Sequence, residues 1–386
     1  MLVSVAALAA GTFAISAPGV LAPKLEEAFD LSRTEIGVVT SLVFLGASVG
    51  SWPAGRLTDR GEPARVLGVA MALFSAAVAL LALAPDRTVL FLAAVLAGLA
   101  YGGVNPPTTV VVAGRLARRL GFFLSLKQSG VPLGGLAAGL VLPPVAIAFG
   151  WRAAVGLGAA ACALAAAATP LLRNAQTFRL EGGGSAPLPP RRRLQALAAF
   201  GFVMAGSQWA FLTYLVLYLT ERLHFGLGLA GAALALAQGL GACARLAWGW
   251  ASDVSGRRLA VLLVMAGLQV TALALLAWLP SRGLAWPLVA LAGTSVVGWN
   301  GAYYGLVAET AGPGNVGRVS GHVLVLIFAG SVVFPPLLGA LVDAAGSWRP
   351  LWGTCAGLVA LAAAVLAAGL RGDDARVLVA APKPSR

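Results

Sequence analysis

Apolar runs of about twenty residues recur along the whole chain and are separated by short polar patches. A helix needs roughly 20 apolar residues to cross a hydrocarbon core about 30 Å thick. Of the 386 residues, 59% are hydrophobic and only 11% are charged, whereas soluble domains carry about 25% charged residues. The sequence therefore predicts an all-α membrane protein of about twelve spans.

The predicted spans form two sets of six on either side of a stretch rich in Gly, Pro and Arg, which is typical of a flexible linker. We predict a first six-helix bundle over 1–172, a linker over 173–194, a second bundle over 195–370 and a tail over 371–386. The spans are placed near 2–22, 34–55, 65–84, 88–113, 121–148, 153–172, 195–220, 227–250, 258–279, 284–309, 319–342 and 351–370.

The distribution of Lys and Arg predicts the orientation. Placing the linker in the cytoplasm puts 18 of the 27 basic residues on that side, and both termini with them. The expected location is the inner (plasma) membrane of a bacterium. The net charge of +13 lies in the gaps between spans and forms no aromatic-interleaved surface, so the expected partner is the lipid bilayer and not nucleic acid.

Several motifs recur at an offset of 194 or 195 residues. GRLTDR at 55–60 matches GWASD at 249–253, and GVN at 103–105 matches GWN at 298–300. At the same offset Lys127 falls on His322. Parallel repeats predict a pseudo-twofold axis along the membrane normal and a cavity between the two halves.

The repeated Gly-to-Asp motif has two interpretations. Glycine lets helices approach closely, and an Asp beside the next helix N-terminus can accept hydrogen bonds from Arg, which would make a conformational latch. Alternatively, the basic residues only set the topology. The latch candidates are Gly55, Asp59, Arg60 and Arg65 in the first copy and Gly249, Asp253, Arg257 and Arg258 in the second.

The motifs GRLTDRGEPAR between spans two and three and GWASDVSGRR between spans eight and nine, with twelve spans and a central basic loop, resemble the major facilitator superfamily. The resemblance covers essentially the whole chain. It implies transport of a solute by rocking of two six-helix bundles, with no enzymatic activity and no cofactor. The first copy departs from the pattern at 62–64, where a Gly-Arg-Arg run is usual, and this leaves Arg65 as the expected partner of Asp59.

Ionisable residues inside spans are costly and mark functional sites. Lys127, Arg245 and His322 lie inside predicted spans, and no Asp or Glu lies in the middle of any span. Two cations without a buried anion favour an anionic substrate, which we expect Lys127 and Arg245 to bind. The alternatives are snorkelling of Lys127, pairing of Arg245 with Asp253, and a hydrogen-bonded core role for His322. His322 is otherwise the candidate for proton coupling.

Neutral polar and aromatic side chains complete the predicted site, with interhelical hydrogen bonding or core packing as the alternative for each. They are Asn105, Gln128, Gln208, Gln238, Trp299, Asn300 and Tyr303, with Tyr304 beside them. Arg245, four residues before Gly249, is also similar to the arginine of oxalate:formate and monocarboxylate porters. The aspartate one turn before it in monocarboxylate porters is replaced by Gly241.

The leading hypothesis is therefore a monomeric, proton-coupled secondary transporter of a small carboxylate. A proton-driven exporter of hydrophobic drugs or metabolites is the alternative, and a receptor or scaffold is disfavoured. The three cysteines have neither CxxC spacing nor an even count, so no metal site is expected. Ser32 and Glu35 have the spacing of a capping box, and we expect the turn that holds them to be an ordinary loop.

Overall fold

The computed structural model describes residues 1–115, 123, 126–172, 188–279, 281–312 and 315–370, and the regular structure in these ranges is helical. Most of the predicted linker and the whole predicted tail lie outside the described residues. In the first half the helices are α1 (Leu2–Val20), α2 (Ala22–Phe29), α3 (Arg33–Asp59), α4 (Pro63–Ala82), α5 (Arg87–Gly102), α6 (Asn105–Arg115), α7 (Gly130–Phe149) and α8 (Trp151–Ala167). In the second half they are α9 (Arg191–Leu223), α10 (Leu227–Ser255), α11 (Arg258–Trp278), α12 (Arg282–Ala292), α13 (Asn300–Ala311), α14 (Val316–Ala345) and α15 (Arg349–Leu370).

Capping residues set where several helices begin. Ser32 and Glu35 form the predicted capping box of α3, in which Glu35 N donates to Ser32 Oγ at 3.2 Å and Ser32 N donates to Glu35 Oε2 at 2.9 Å. Asp86 Oδ1 accepts from Val89 N at the start of α5. Gly150, with φ of +86°, turns the chain between α7 and α8, a conformation that favours glycine.

Eleven helical segments of the described chain are long and apolar enough to cross a membrane. The expected twelfth, the tenth in order, is interrupted. After α12 comes a π-helical turn at Gly293–Val297, and a break at Gly298 and Trp299 precedes α13. The fourth span breaks at the equivalent place, Gly103 and Val104, between α5 and α6. The repeated Gly-x-Asn motif therefore marks a helix break in each half.

The two halves meet at one end of the bundle, which we call the distal face because it lies opposite the helix ends next to the linker (the linker face). There Ser41 of α3 donates to the Val332 carbonyl of α14. Gly139 of α7 packs against Gly231 of α10, where a Cβ on Gly139 would lie 2.6 Å from the Gly231 oxygen. Small residues allow this close approach of backbones.

Toward the linker face the same helices separate. Beyond the rings of Phe44 and Phe328, whose centroids are 6.5 Å apart, no described hydrogen bond or ring contact joins α3 to α14. Val49 of α3 and Val325 of α14 are both exposed. The molecule is therefore closed at the distal face and open at the linker face.

Candidate functional site

Lys127 is buried in the first half against the break in the fourth span. Its ammonium nitrogen donates to Asn105 Oδ1 and Thr109 Oγ1, each at 2.8 Å, and lies 3.5 Å from Thr108 Oγ1. These three partners share the first turn of α6, where positions i, i+3 and i+4 lie on one face. The residue is 1% exposed and therefore does not snorkel.

The charge of Lys127 is hydrogen-bonded but not neutralised. A lysine ammonium has three donors, and all three meet neutral oxygens. None of the carboxylates in the described part of the chain forms an ion pair with it. A ligand that contacts this nitrogen directly has to displace one of the three oxygens.

Arg245 lies on α10 and faces the break in the tenth span. Its Nε donates to the Val297 carbonyl at 2.9 Å, and Trp248, one turn further on, donates to the Thr294 carbonyl at 3.1 Å. The π turn and the break leave carbonyls without regular helical partners, and these two side chains occupy them. This local need explains why a polar side chain on α10 points at the interruption.

The end of the Arg245 side chain is available to a ligand. The residue is half-buried, and neither terminal guanidinium nitrogen has a hydrogen-bond or ion-pair partner among the residues described. Its charge is within electrostatic range of the hydroxyls of Tyr304 and Tyr101. Because Tyr101 belongs to the first half, Arg245 faces the region between the halves. It shares no hydrogen-bond partner with Lys127, and it does not pair with Asp253 here.

The neutral candidates divide by exposure. Gln128 and Asn105 are exposed and Asn300 is half-buried, whereas Gln208, Gln238, Trp299 and Tyr303 are buried.

The buried candidates have protein partners. Gln208 Oε1 accepts from Trp299 Nε1 at 2.8 Å, and the Tyr303 hydroxyl donates to the Leu197 carbonyl at 2.7 Å. Gln238 packs against Gly135 in the contact between the halves. These side chains hold helices together and do not line open space. Tyr304, which follows Tyr303 in the sequence, is exposed.

His322 is exposed on α14, two turns from its linker-face end. Its Nδ1 lies 2.7 Å from the Arg318 carbonyl oxygen, one turn earlier in the same helix. The residue is therefore not a buried core histidine. No hydrogen bond joins His322 to Lys127 or to Arg245.

The two copies of the latch motif differ. In the second copy Arg258 pairs with Asp253 at 2.8 Å and Glu309 at 3.5 Å and donates to the Gly305 carbonyl, which joins α10, α11 and α13. In the first copy Arg65 pairs with Glu62 at 3.2 Å instead of with Asp59.

Three further latch candidates of the motif have few contacts in this state. Asp59 is exposed and forms no ion pair with any residue that the structure describes. No atom lies within 4 Å of a Cβ built on Gly55 or Gly249, so a side chain would fit at either position in this state. The first latch is therefore open in this conformation.

An interaction that sequence reasoning missed closes the distal face. Arg33 donates to both carboxylate oxygens of Glu221 at 3.0 and 3.1 Å, and the backbone nitrogens of Arg33 and Thr34 donate to Asp343 at 3.2 and 2.9 Å. Tyr214 donates to the Arg33 carbonyl. The expectation of an ordinary loop is wrong, because the turn that starts α3 binds three residues of the other half.

A cavity of about 930 Å³ lies on the flank of the first half, between α3, α4 and α5. Its walls are mostly apolar, and Arg60, Glu62 and Arg65 stand at its linker-face end. Its lining includes no residue of the second half and neither Lys127 nor Arg245. We therefore do not assign it to solute transport.

Residues 2–335 match the sequence model of the Major Facilitator Superfamily. The chain belongs to this superfamily. It is accordingly a multi-pass membrane transporter and not an enzyme. This confirms both the predicted superfamily and the predicted all-α membrane fold.

Individual relatives span most of the chain. An uncharacterised MFS-type transporter of Mycobacterium tuberculosis is 28% identical over 95% of this chain and 83% of its own length. Monocarboxylate transporter 11 of Mus musculus is 29% identical over 88% of this chain and 80% of its own length.

Among solved structures, an inward-facing, occupied bacterial homologue of the human lysosomal transporter Spinster superposes with a TM-score of 0.77. It is 17% identical and covers 98% of this chain and 93% of its own. At that identity the likeness concerns the MFS fold alone.

Proposed function

We propose that this MFS protein carries a small organic anion of the carboxylate type by alternating access, coupled to protons, across the bacterial inner membrane. The linker face is then cytoplasmic, because most Lys and Arg residues cluster there. The state described above is open to the cytoplasm.

The two terminal guanidinium nitrogens of Arg245, which have no partner among the described residues, are the main support for this function. A planar guanidinium with two unpaired terminal nitrogens matches a carboxylate in bidentate geometry. It lies beside a discontinuous span, which is where transporters of this kind place substrate sites. An unpaired cation in a low-dielectric site is costly unless an anion compensates it, and a carboxylate supplies that charge.

Lys127 has a different part in this proposal. Its three donors are already used, so it adds positive potential to the region between the halves while Arg245 makes the direct contact. The name of the mouse relative, a monocarboxylate transporter, agrees with an organic acid as substrate. His322 remains the candidate for proton coupling near the cytoplasmic side.

Calorimetry on purified protein tests the proposal with lactate, benzoate and succinate, with glucose and tetraphenylphosphonium as non-anionic controls. Charged hydrogen bonds contribute roughly 1.5–3 kcal/mol, so Arg245→Gln should weaken binding of the anion by about 10- to 150-fold. Arg245→Lys should not restore it, because a point charge lacks the fork. Lys127→Gln should weaken binding less. Arg191→Gln, which changes an exposed arginine at the start of α9, should match wild type.

Unchanged anion affinity in Arg245→Gln would overturn the carboxylate proposal and leave the transporter fold standing. Binding of tetraphenylphosphonium but of no anion would instead favour the exporter of hydrophobic compounds.

A further inference from the structure

Three carboxyl groups face one guanidinium where the distal face closes. Arg33 pairs with Glu221 at 3.0 Å, with Glu26 at 3.8 Å and with Asp343 at 3.9 Å. The four side chains come from α2, α3, α9 and α14, and all are only 25–35% exposed. The cluster therefore joins the two halves and carries an excess of negative charge.

Two of the carboxylates are well compensated. Asp343 accepts from the backbone nitrogens of Arg33 and Thr34 and from the Thr34 hydroxyl at 2.6 Å, which places its charge at the N-terminus of α3. Glu221 accepts both contacts from Arg33 Nη2 and a third bond from Trp348 Nε1 at 3.1 Å.

Glu26 is the least compensated member. Its one cationic contact is with Arg33 at 3.8 Å, beyond hydrogen-bond distance. Glu26 Oε1 and Glu221 Oε1 lie 3.8 and 3.0 Å from the same nitrogen, Arg33 Nη2, so the two carboxyls are close neighbours around one cation. Two nearby carboxylates that share a site cannot both ionise easily.

We propose that Glu26 and Glu221 form a proton-binding site, and that a proton bound there stabilises the closed distal face. Glu26 holds the proton and donates a hydrogen bond to a carboxylate oxygen of Glu221. Glu221 stays ionised and keeps its bonds to Arg33 and Trp348. The site sets the balance between conformations and does not itself carry a proton across the membrane. This proton site acts in the same way whichever solute the protein carries.

The position of Glu26 follows from the packing of α2. Leu25 is fully buried and holds the helix on the bundle, so Glu26 faces the cluster. Glu27 points outward, 71% exposed, and binds Lys24 at 2.8 Å. The charged groups that face Glu26 from the packed elements are Arg33 of α3, Glu221 of α9 and Asp343 of α14, while α1 has no charged residue.

Burial and the charge of Glu221 raise the pKa of Glu26 to about 7 in the closed state. Once the halves separate, Glu26 returns toward the ordinary glutamate pKa of about 4.3. The closed state therefore binds the proton more tightly and is favoured as the pH falls below about 7. It loses this advantage as the pH rises through that value, and partial exposure limits the effect to at most about a hundredfold in the equilibrium.

The test measures the distal distance between spin labels on Thr88→Cys and Gly228→Cys, with Cys243→Ala, in substrate-free protein in nanodiscs from pH 5 to 9. Both positions are exposed, and nothing lies within 4 Å of a Cβ at Gly228. Wild type should shift from closed to open distal populations as the pH rises, and the change should be complete above about pH 7. Glu26→Gln should stay closed throughout, because the amide is neutral and can donate to Glu221 at every pH.

Glu27→Gln is the matched control and should follow wild type. The Lys24 hydrogen bond lowers the pKa of Glu27, so this carboxyl stays ionised over the whole range. Glu26→Asp, which still titrates but reaches less far, should keep a pH dependence with a lower midpoint and shows that the site tolerates substitution. A pH-independent wild type, or a pH dependence that survives in Glu26→Gln and disappears in His322→Gln, would overturn the proposal.

Discussion

Asn105 accepts a hydrogen bond from Lys127 at 2.8 Å and so ties a buried cation to the break in the fourth span. Arg245 makes the corresponding bond to Val297 at the break in the tenth span. Each half therefore holds one positive charge at an interrupted helix. The two cations are not at equivalent positions of the repeat, but the breaks that receive them are.

The three oxygens around Lys127 should matter for stability. Thr109→Val keeps the shape and removes an acceptor at 2.8 Å, which should cost about 1–3 kcal/mol because a buried ammonium is left short of one partner. The melting temperature in detergent should fall. Thr108→Val is the control and should cost less, because this hydroxyl is 3.5 Å from the nitrogen. Each of the two hydroxyls also donates to a helix carbonyl one turn earlier, so that loss is the same in both variants. Equal losses in both variants would contradict this account.

The contact between Gly139 and Gly231 should control closure of the distal face. Gly139→Val would place side-chain atoms against the Gly231 backbone, where even a Cβ lies at 2.6 Å. The population should shift toward distal-open, as measured by the label pair described above. Gly156→Val is the control, since nothing lies within 4 Å of a Cβ at that position. A closed population that stays at the wild-type level in Gly139→Val would argue against close packing as the requirement.

Neutralising Asp59 should shift the conformational equilibrium in one direction, toward the linker-face-open state. It forms no ion pair in this linker-face-open state, so Asp59→Asn should cost little here and weaken only a state in which the latch forms. The population should therefore move further toward linker-face-open, with the affinity of each conformer unchanged. Asp253→Asn, by contrast, removes a bond at 2.8 Å to Arg258 that exists in the present state. Loss of affinity with an unshifted population would place Asp59 in a binding site instead.

The predicted topology has a direct chemical test. Single cysteines at Ser185 and Ser281, in a background with Cys243→Ala because Cys243 is exposed, should react with an impermeant maleimide from opposite sides of the membrane. Ser185 should be protected in intact cells and Ser281 accessible. Reaction of both from the same side would contradict the three spans, α9, α10 and α11, that separate the linker from position 281.

The spans, the repeat and the family could be predicted from the sequence because each depends on local properties. Hydrophobic length decides whether a segment such as 33–59 crosses a bilayer, whatever packs against it. The Gly-x-Asn motifs at 103 and 298 were visible as repeats, although that they mark helix breaks was not. Trp299 and Tyr303 show the limit of such reasoning, because an aromatic on a span can equally face a cavity or the bundle core.

Tertiary structure decided which charges have partners. Arg33 and Glu221 are 188 residues apart, and Arg33 and Asp343 are 310 apart, so no local pattern could show that they meet at the distal face. The same holds for Lys127, whose burial depends on the first turn of another helix. By itself the sequence determined which segments must lie in lipid, because the free energy of transferring a segment into the bilayer is a sum over its own residues. The pairing of charges depends on how the helices pack, and only the folded molecule sets that.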